Sequence, residues 1–315
     1  MSTLTLTSST LPQRPPIRGS RGNSSRRSIL DRFVTALAIL ATLLVLAPLA
    51  AILFYLVYKG ASSLNLAFFT NIPAPVGEQG GGMANAIVGS GIILFLASLM
   101  GVPIGIAAGL YLAEFGRGTR LADAVRFTAD VLNGVPSIVM GISVYALVVV
   151  REHHFSALAG GIALAIMMVP TITRTTEEML LLVPMSVREA ALGLGVPRWR
   201  TALSISLRTA SPGIITGCML AFARVAGETA PLLFTAFGNA FWSWHRNEPL
   251  HTLPRQVLDQ PIAALPLQIF TYAVSPYDEW HRLAWAGALV LIVLIMVSVT
   301  LVRIFASRGA LKGRS

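Results

Sequence analysis

Charge is what this chain has least of. Only 12 % of its 315 residues are Asp, Glu, Lys or Arg, about half the share in an ordinary soluble domain. Acids are the scarcer half, 14 against 24 Lys and Arg, for a net charge of +10. There is one cysteine, Cys218, inside an apolar run. An internal disulfide and a cysteine metal site are therefore excluded. No G-x-x-x-x-G-K-[ST] phosphate loop occurs, so the chain does not cradle ATP in that way. Activated nucleophiles, paired carboxylates and spaced metal ligands are missing as well. His153 and His154 are adjacent and cannot share one helix face.

What fills the space is hydrocarbon. Hydrophobic residues make up 54 % of the chain, and the mean hydropathy is +0.70. This is the composition of an integral membrane protein. The alternating pattern of a membrane barrel is absent, so the expected fold is all-α. Six runs approach the roughly 20 apolar residues that a span needs. They lie at about 33–58, 84–113, 129–150, 155–173, 211–237 and 283–305. The first is too long for a signal peptide and is read as a retained span. Residues 1–28, rich in Ser, Thr, Pro and Arg, read as a disordered basic tail. Residues 309–315 read as a second, short basic tail. The membrane-spanning body is 29–308.

Lys and Arg orient the spans. Eighteen of the 24 fall on the side of the two termini and five on the other. The larger group marks the cytoplasmic face, so both termini are expected inside. This one-sided distribution explains the net charge without nucleic acid.

Two spans carry small residues at helix-packing intervals. Gly101, Gly105 and Gly109 repeat every fourth residue in the second, and Gly213 and Gly217 do so in the fifth. Such spacing lets backbones approach closely in lipid. The fifth span also carries two charges in "CMLAFARVAGETAPLLF", Arg224 and Glu228. At about 100° per residue, Glu228 falls about 40° from Arg224. Both share a face with Gly213, Gly217 and Ala221. Ile215, Met219, Phe222 and Leu233 fall opposite. The expectation is a charged face turned from lipid, with Arg224 and Glu228 paired at i, i+4. Intramembrane charges mark transport paths, and a guanidinium suits a tetrahedral oxyanion. An internal brace is the alternative. Asp130 and Asn133, one turn apart, are expected to bond neighbouring helices, and Pro136 to kink the third span.

The long inside loop, about 174–210, is helix-forming. Ser186 reads as an N-cap, with Glu189 three residues on as in a capping box. Gly195-Val196-Pro197 reads as a stop. Arg198-Trp199-Arg200 opens a second helix into the fifth span. The pair makes either a rigid knob for a partner or an amphipathic pair on the bilayer.

Glu189-Ala190-Ala191, then Gly195, then Ile205-Ser206-Leu207 resembles the EAA loop of ABC-importer permeases. That pattern usually ends in Pro, and Arg208 stands there instead. "DVLNGVPSIVMG", "VPTITRTTEEML" and "ARVAGETAPLLFTA" are similar to the permeases of phosphate-specific transport systems. The resemblance covers roughly residues 30–308. It implies a type I ABC importer permease (MetI-like) fold and a non-catalytic membrane subunit of the inner membrane. It implies four kinds of neighbour: a second homologous permease, an ATPase dimer that holds ATP and Mg, an outer phosphate-binding protein, and the bilayer. No cofactor is expected on this chain. Glu189, Ala190, Ala191, Gly195 and Pro197 would form the ATPase-coupling loop. Arg224, Glu228 and Arg174 would belong to the substrate path. Arg174, just past the fourth span, would line the inner mouth or anchor the helix. The aromatic outer segment, 238–282, would meet the binding protein. Other readings are a molybdate, tungstate or sulfate permease, a proton-coupled carrier using Glu228, and a scaffold that recruits a soluble protein.

Overall fold

The computed structural model describes residues 24–75, 78, 80–242 and 257–311. Residues 1–23 of the expected basic tail, residues 312–315 and Trp244 lie outside the described residues. The chain divides into two units, Met1–Phe54 and Tyr55–Ser315. The first consists, where described, of the body of helix α1 (Ser24–Ala61). Residues 26–54 are exposed all round. A helix apolar on every side needs lipid or another chain around it.

The regular elements of the second unit's described residues are all helices, with one isolated bridge between Phe237 and Ile262. After α2 (Leu66–Thr70), capped by the Asn65 side chain, comes α3 (Ala84–Leu110), extended by a π-helical turn to Phe115. Then follow α4 (Arg120–Gly134), α5 (Ser137–Val144) and α6 (Val150–Glu152), the last two joined by a π turn. α7 (Ala157–Leu181), α8 (Met185–Gly193), α9 (Arg198–Thr201), α10 (Leu207–Ala226) and α11 (Ala230–Thr235) come next. The unit closes with α12 (Leu265–Ala273) and α13 (Asp278–Leu311). Among the described residues of the chain, five helices are long and apolar enough to cross a membrane. The bent pair α4 and α5–α6, at 107°, supplies a sixth span if it counts as one.

Helix α7 is the centre of the second unit. Leu164, Met168 and Ile172 are among its fully buried side chains. α3 runs along one flank and α10 along another. Both approaches depend on the glycine ladders. A Cβ on Gly105 would meet the Ile172 Cβ at 2.7 Å, and one on Gly109 the Thr173 carbonyl oxygen at 2.6 Å. Gly101 faces Met168 and Ala165 in the same way. Gly213 and Gly217 seat against Met179 and Thr175. Both ladders therefore grip one helix, and removing a Cβ is what makes the room.

Three local expectations change. α7 runs eight residues past Thr173, so Arg174 is a mid-helix residue rather than a loop residue. The third apolar run is broken: α4 ends at Gly134, and Pro136 caps α5. Proline cannot continue the ladder and pushes its predecessor out of the helical region. The side of α10 with Ile215, Met219 and Phe222 does not face away from protein. With Val102, Ile106, Met168 and Val302 it lines an apolar groove between α3, α7 and α13.

The ladders give a direct test. Gly105→Val should cost about 1–3 kcal/mol by overpacking, read as a lower unfolding temperature in detergent. Gly91→Ala, on the same helix with nothing near its missing Cβ, should leave it unchanged.

Candidate functional site

Two helix breaks interrupt the second unit. The first, Val135-Pro136, separates α4 from α5. The second follows α10: Gly227 caps its end, Glu228 and Thr229 form a short irregular link, and α11 restarts with Pro231 in its first turn. The halves beyond the breaks pack together, with Gly141 against the Pro231 backbone. In a membrane, irregular backbone survives only inside protein or along a water-filled cavity. Interrupted helices are also where transporters build their sites.

Arg224 lies in the last turn of α10 and Glu228 lies in the link. The helix ends between them, so the expected i, i+4 pair does not form. The Glu228 amide donates to the Val225 carbonyl at 3.1 Å. Arg224 is exposed and Glu228 half-buried, and no described residue ion-pairs with either. The small-residue face that grips α7 at Gly213 and Gly217 has opened by Arg224. Thr216 and Leu220 are exposed beside it. The break was legible: Gly after the last periodic residue, then Thr, then Pro two residues on, is a stop followed by a start.

Arg174 stands in contrast. Its Nε and Nη2 donate to both carboxylate oxygens of Asp130, at 2.8 and 2.7 Å. Its Nη1 reaches Glu177 Oε2 at 3.1 Å. Glu177 accepts at its other oxygen from Arg126 Nε, at 2.7 Å, and Arg126 Nη1 reaches Asp123 at 3.1 Å. Thr171 donates to Asn133 Oδ1 at 3.1 Å. This belt fastens α4 along α7, as the Asp130–Asn133 spacing led one to expect. It sets three carboxylates against two guanidinium groups. The cation Arg174 is therefore compensated, whereas Arg224 has no ion-pair partner among the described residues. Glu177 and Arg126 were missed in the sequence. Glu177 had a signal, three residues past Arg174 on the same face. Arg126 had the same spacing only toward Asp123; its pairing with Glu177, 51 residues away, left no local signal.

The loop between α7 and α10 forms a helix-turn-helix knob, a shape common to both forms expected of it, the partner dock and the bilayer pair. α8 starts at Met185 with Pro184 at its N-cap and no side-chain cap, so Ser186 and Glu189 make no capping box. Its end is a Schellman motif. The Gly195 amide donates to the Leu192 carbonyl at 2.9 Å, and the Val196 amide to the Ala191 carbonyl at 3.1 Å. Gly195 has φ +78°, a left-handed turn that glycine takes without strain. Pro197 then caps α9. Glu189 and Ala190 point outward and Ala191 is buried. Leu192, Leu194 and Trp199 are exposed on the same knob. Such a surface fits a protein partner better than water.

Broken spans, a cation unpaired among the described residues at one break and an exposed apolar helix-turn-helix are features of a membrane permease. The family model described as "Binding-protein-dependent transport system inner membrane component" matches residues 101–309. The chain belongs to that family and is a non-catalytic, multi-pass inner-membrane component. A phosphate transport system permease protein PstA of Yersinia pestis is 47 % identical over 274 residues, 87 % of this chain and 89 % of that one. The PstA of Haemophilus influenzae is 43 % identical over 89 % of this chain and 94 % of its own. A probable PstA of Methanocaldococcus jannaschii is 35 % identical over 86 % and 91 %. Among solved structures, a chain of the inward-facing MetNI methionine ABC transporter superposes with a TM-score of 0.51 at 18 % identity. It covers 72 % of this chain and 94 % of that one. That likeness supports the MetI-like fold alone.

The belt predicts unequal costs. The Glu177 side chain is 6 % exposed and joins two arginines. Glu177→Gln should destabilise by about 3–5 kcal/mol, as when one partner of a buried pair is removed. The Asp123 side chain is 72 % exposed, and Asp123→Asn should change stability by about 0.5 kcal/mol or less. Chemical unfolding in micelles reads both.

Proposed function

We infer that this chain is the membrane permease subunit of an ATP-driven importer of inorganic phosphate. Relatives named as phosphate permeases span most of its length. The geometry adds one observation that carries the reading: Arg224 is a cation without an ion-pair partner among the described residues, set at a helix break on an open face. In lipid such a charge costs about 2.5–3.5 kcal/mol on insertion scales. The open face of α10 therefore needs protein or water against it. A second, homologous permease placed there would close a path along Arg224.

Arg224 offers a planar fork of donors with a permanent charge, well matched to phosphate oxygens. Glu228 sits four residues on but is displaced by the break and makes no ion pair with Arg224, which leaves the guanidinium open to the anion. Release requires binding weak enough to reverse. Arg174, held by Asp130 and Glu177, keeps the α4–α7 wall of the path in place. Both termini are cytoplasmic in this reading. The knob with Glu189, Ala190, Ala191, Gly195 and Pro197 then faces the cytoplasm and docks an ATPase dimer, which holds ATP and Mg. A phosphate-binding protein delivers from the other side onto the 238–282 segment.

Uptake of labelled phosphate into vesicles holding the assembled complex tests this. Arg224→Gln should lower the rate by about tenfold or more, the worth of one charge-assisted contact. Arg224→Lys should keep part of it. A wild-type rate in Arg224→Gln rejects the path role. Competition by molybdate, tungstate or sulfate equal to that by phosphate rejects the assigned substrate.

A further inference from the structure

Arg188 counts in the sequence as one of many positive charges on the inside face. Its side chain is 8 % exposed. It sits on α8 directly before Glu189, which points outward. All five of its N–H donors have acceptors within reach. Nε and Nη2 both lie 3.0 Å from Glu114 Oε1. Nη2 also donates to the Leu180 carbonyl at 2.6 Å. Nη1 donates to the Val183 carbonyl at 2.7 Å and lies 3.6 Å from the Met185 sulfur.

These acceptors belong to different elements. Leu180 is in the last turn of α7, where carbonyls have no further helical partner. Val183 lies just beyond it. Glu114 is on the π turn that extends α3 and is itself 11 % exposed. Arg198, at the start of α9, adds a contact to the Glu114 carbonyl at 3.3 Å. A cation here meets the negative end of α7 and a carboxylate together, in a site closed to water. Other ties between α8 and the helical body are slight. Ala191 is its only other buried residue, and its chain ends run through Pro184 and the Gly195–Pro197 turn. Without the guanidinium, α8 could pivot on those ends.

We propose that Arg188 is the positioning residue that couples the docking helix to the path. It ties α8 to α3 and α7 at once, so displacement of α8 by a partner moves both helices together. α7 then carries the motion to α10 and Arg224 through Gly213 and Gly217. Glu189 and Arg188, adjacent in sequence, divide the labour: one faces the partner, the other faces the body. The proposal rests on the reading of the chain as an ATP-driven permease.

The test uses the full complex in vesicles, and reads phosphate uptake and ATP hydrolysis in the same sample. The wild-type complex must first show ATP-dependent uptake. If it does not, the permease reading fails, independently of Arg188. In Arg188→Gln and Arg188→Lys, hydrolysis should persist while uptake per ATP falls by about fivefold or more, the usual reach of coupling between sites. Lysine keeps the charge but cannot bridge three acceptor groups at fixed angles. Glu114→Gln keeps an acceptor oxygen and the side-chain shape, so it should assemble and show a smaller loss of the same kind. Uptake and hydrolysis falling in proportion would mean that Arg188 only holds the fold or the docking surface. That result overturns the proposal. So does an unchanged ratio at wild-type rates, or failure of all three variants to assemble.

Discussion

The close approach of two helices to α7 is the contact on which the second unit depends. In water a bundle closes by hiding hydrocarbon. In lipid that drive is absent, and van der Waals fit between backbones takes its place. Gly101, Gly105 and Gly109 bring α3 onto Ala165, Met168, Ile172 and Thr173, and Gly213 and Gly217 bring α10 onto Met179 and Thr175. The helix between them is buried along most of its length. Everything functional is then hung from α7. The charged belt fixes α4 to its middle, through Arg174 and Glu177. The Arg188 contacts fix α8 to its end. α10 brings Arg224 to the break beyond it.

Charge is scarce in this chain, and the few charges serve different tasks. Arg174 and Arg126 are matched by carboxylates and hold helices together. Arg188 is matched by Glu114 and two carbonyls and holds the knob. Arg224 is left open. A buried pair that is complete contributes modestly to stability, but it is strict about geometry. An unpaired guanidinium contributes nothing to stability and is available to an anion. In the proposed reading, the partition between compensated and free arginines separates framework from path.

Much of this was legible in the sequence. Apolar runs marked the spans, the four-residue glycine spacing marked the packing faces, and Gly195-Val196-Pro197 marked the end of the knob's first helix. The break at Gly227–Pro231 was not read and the one at Val135-Pro136 was read only as a kink, because an average over an apolar window passes across both without a dip. Punctuation by Gly, Thr and Pro carried that information, and the angular placement of Glu228 assumed it away. The charged belt was half legible. Asp130, Asn133 and Arg174 stood out as polar residues near span ends, but Arg126 and Glu177 meet only through tertiary packing. Arg188 was hidden by its company, since topology needs only its charge and the fold uses its shape.

The central claim is that α3, α7 and α8 move as one body around the glycine contacts. A pair of spin labels tests it most directly. One would sit at Ser186 on the exposed side of α8, the other at Leu99 on the exposed side of α3, with Cys218 replaced by Ser. The distance between them should stay constant within about 2 Å, the scale of small helix shifts, between the nucleotide-free and ATP-bound complex. A change of about 5 Å, one helical turn, would show α8 moving on its own and would contradict the account.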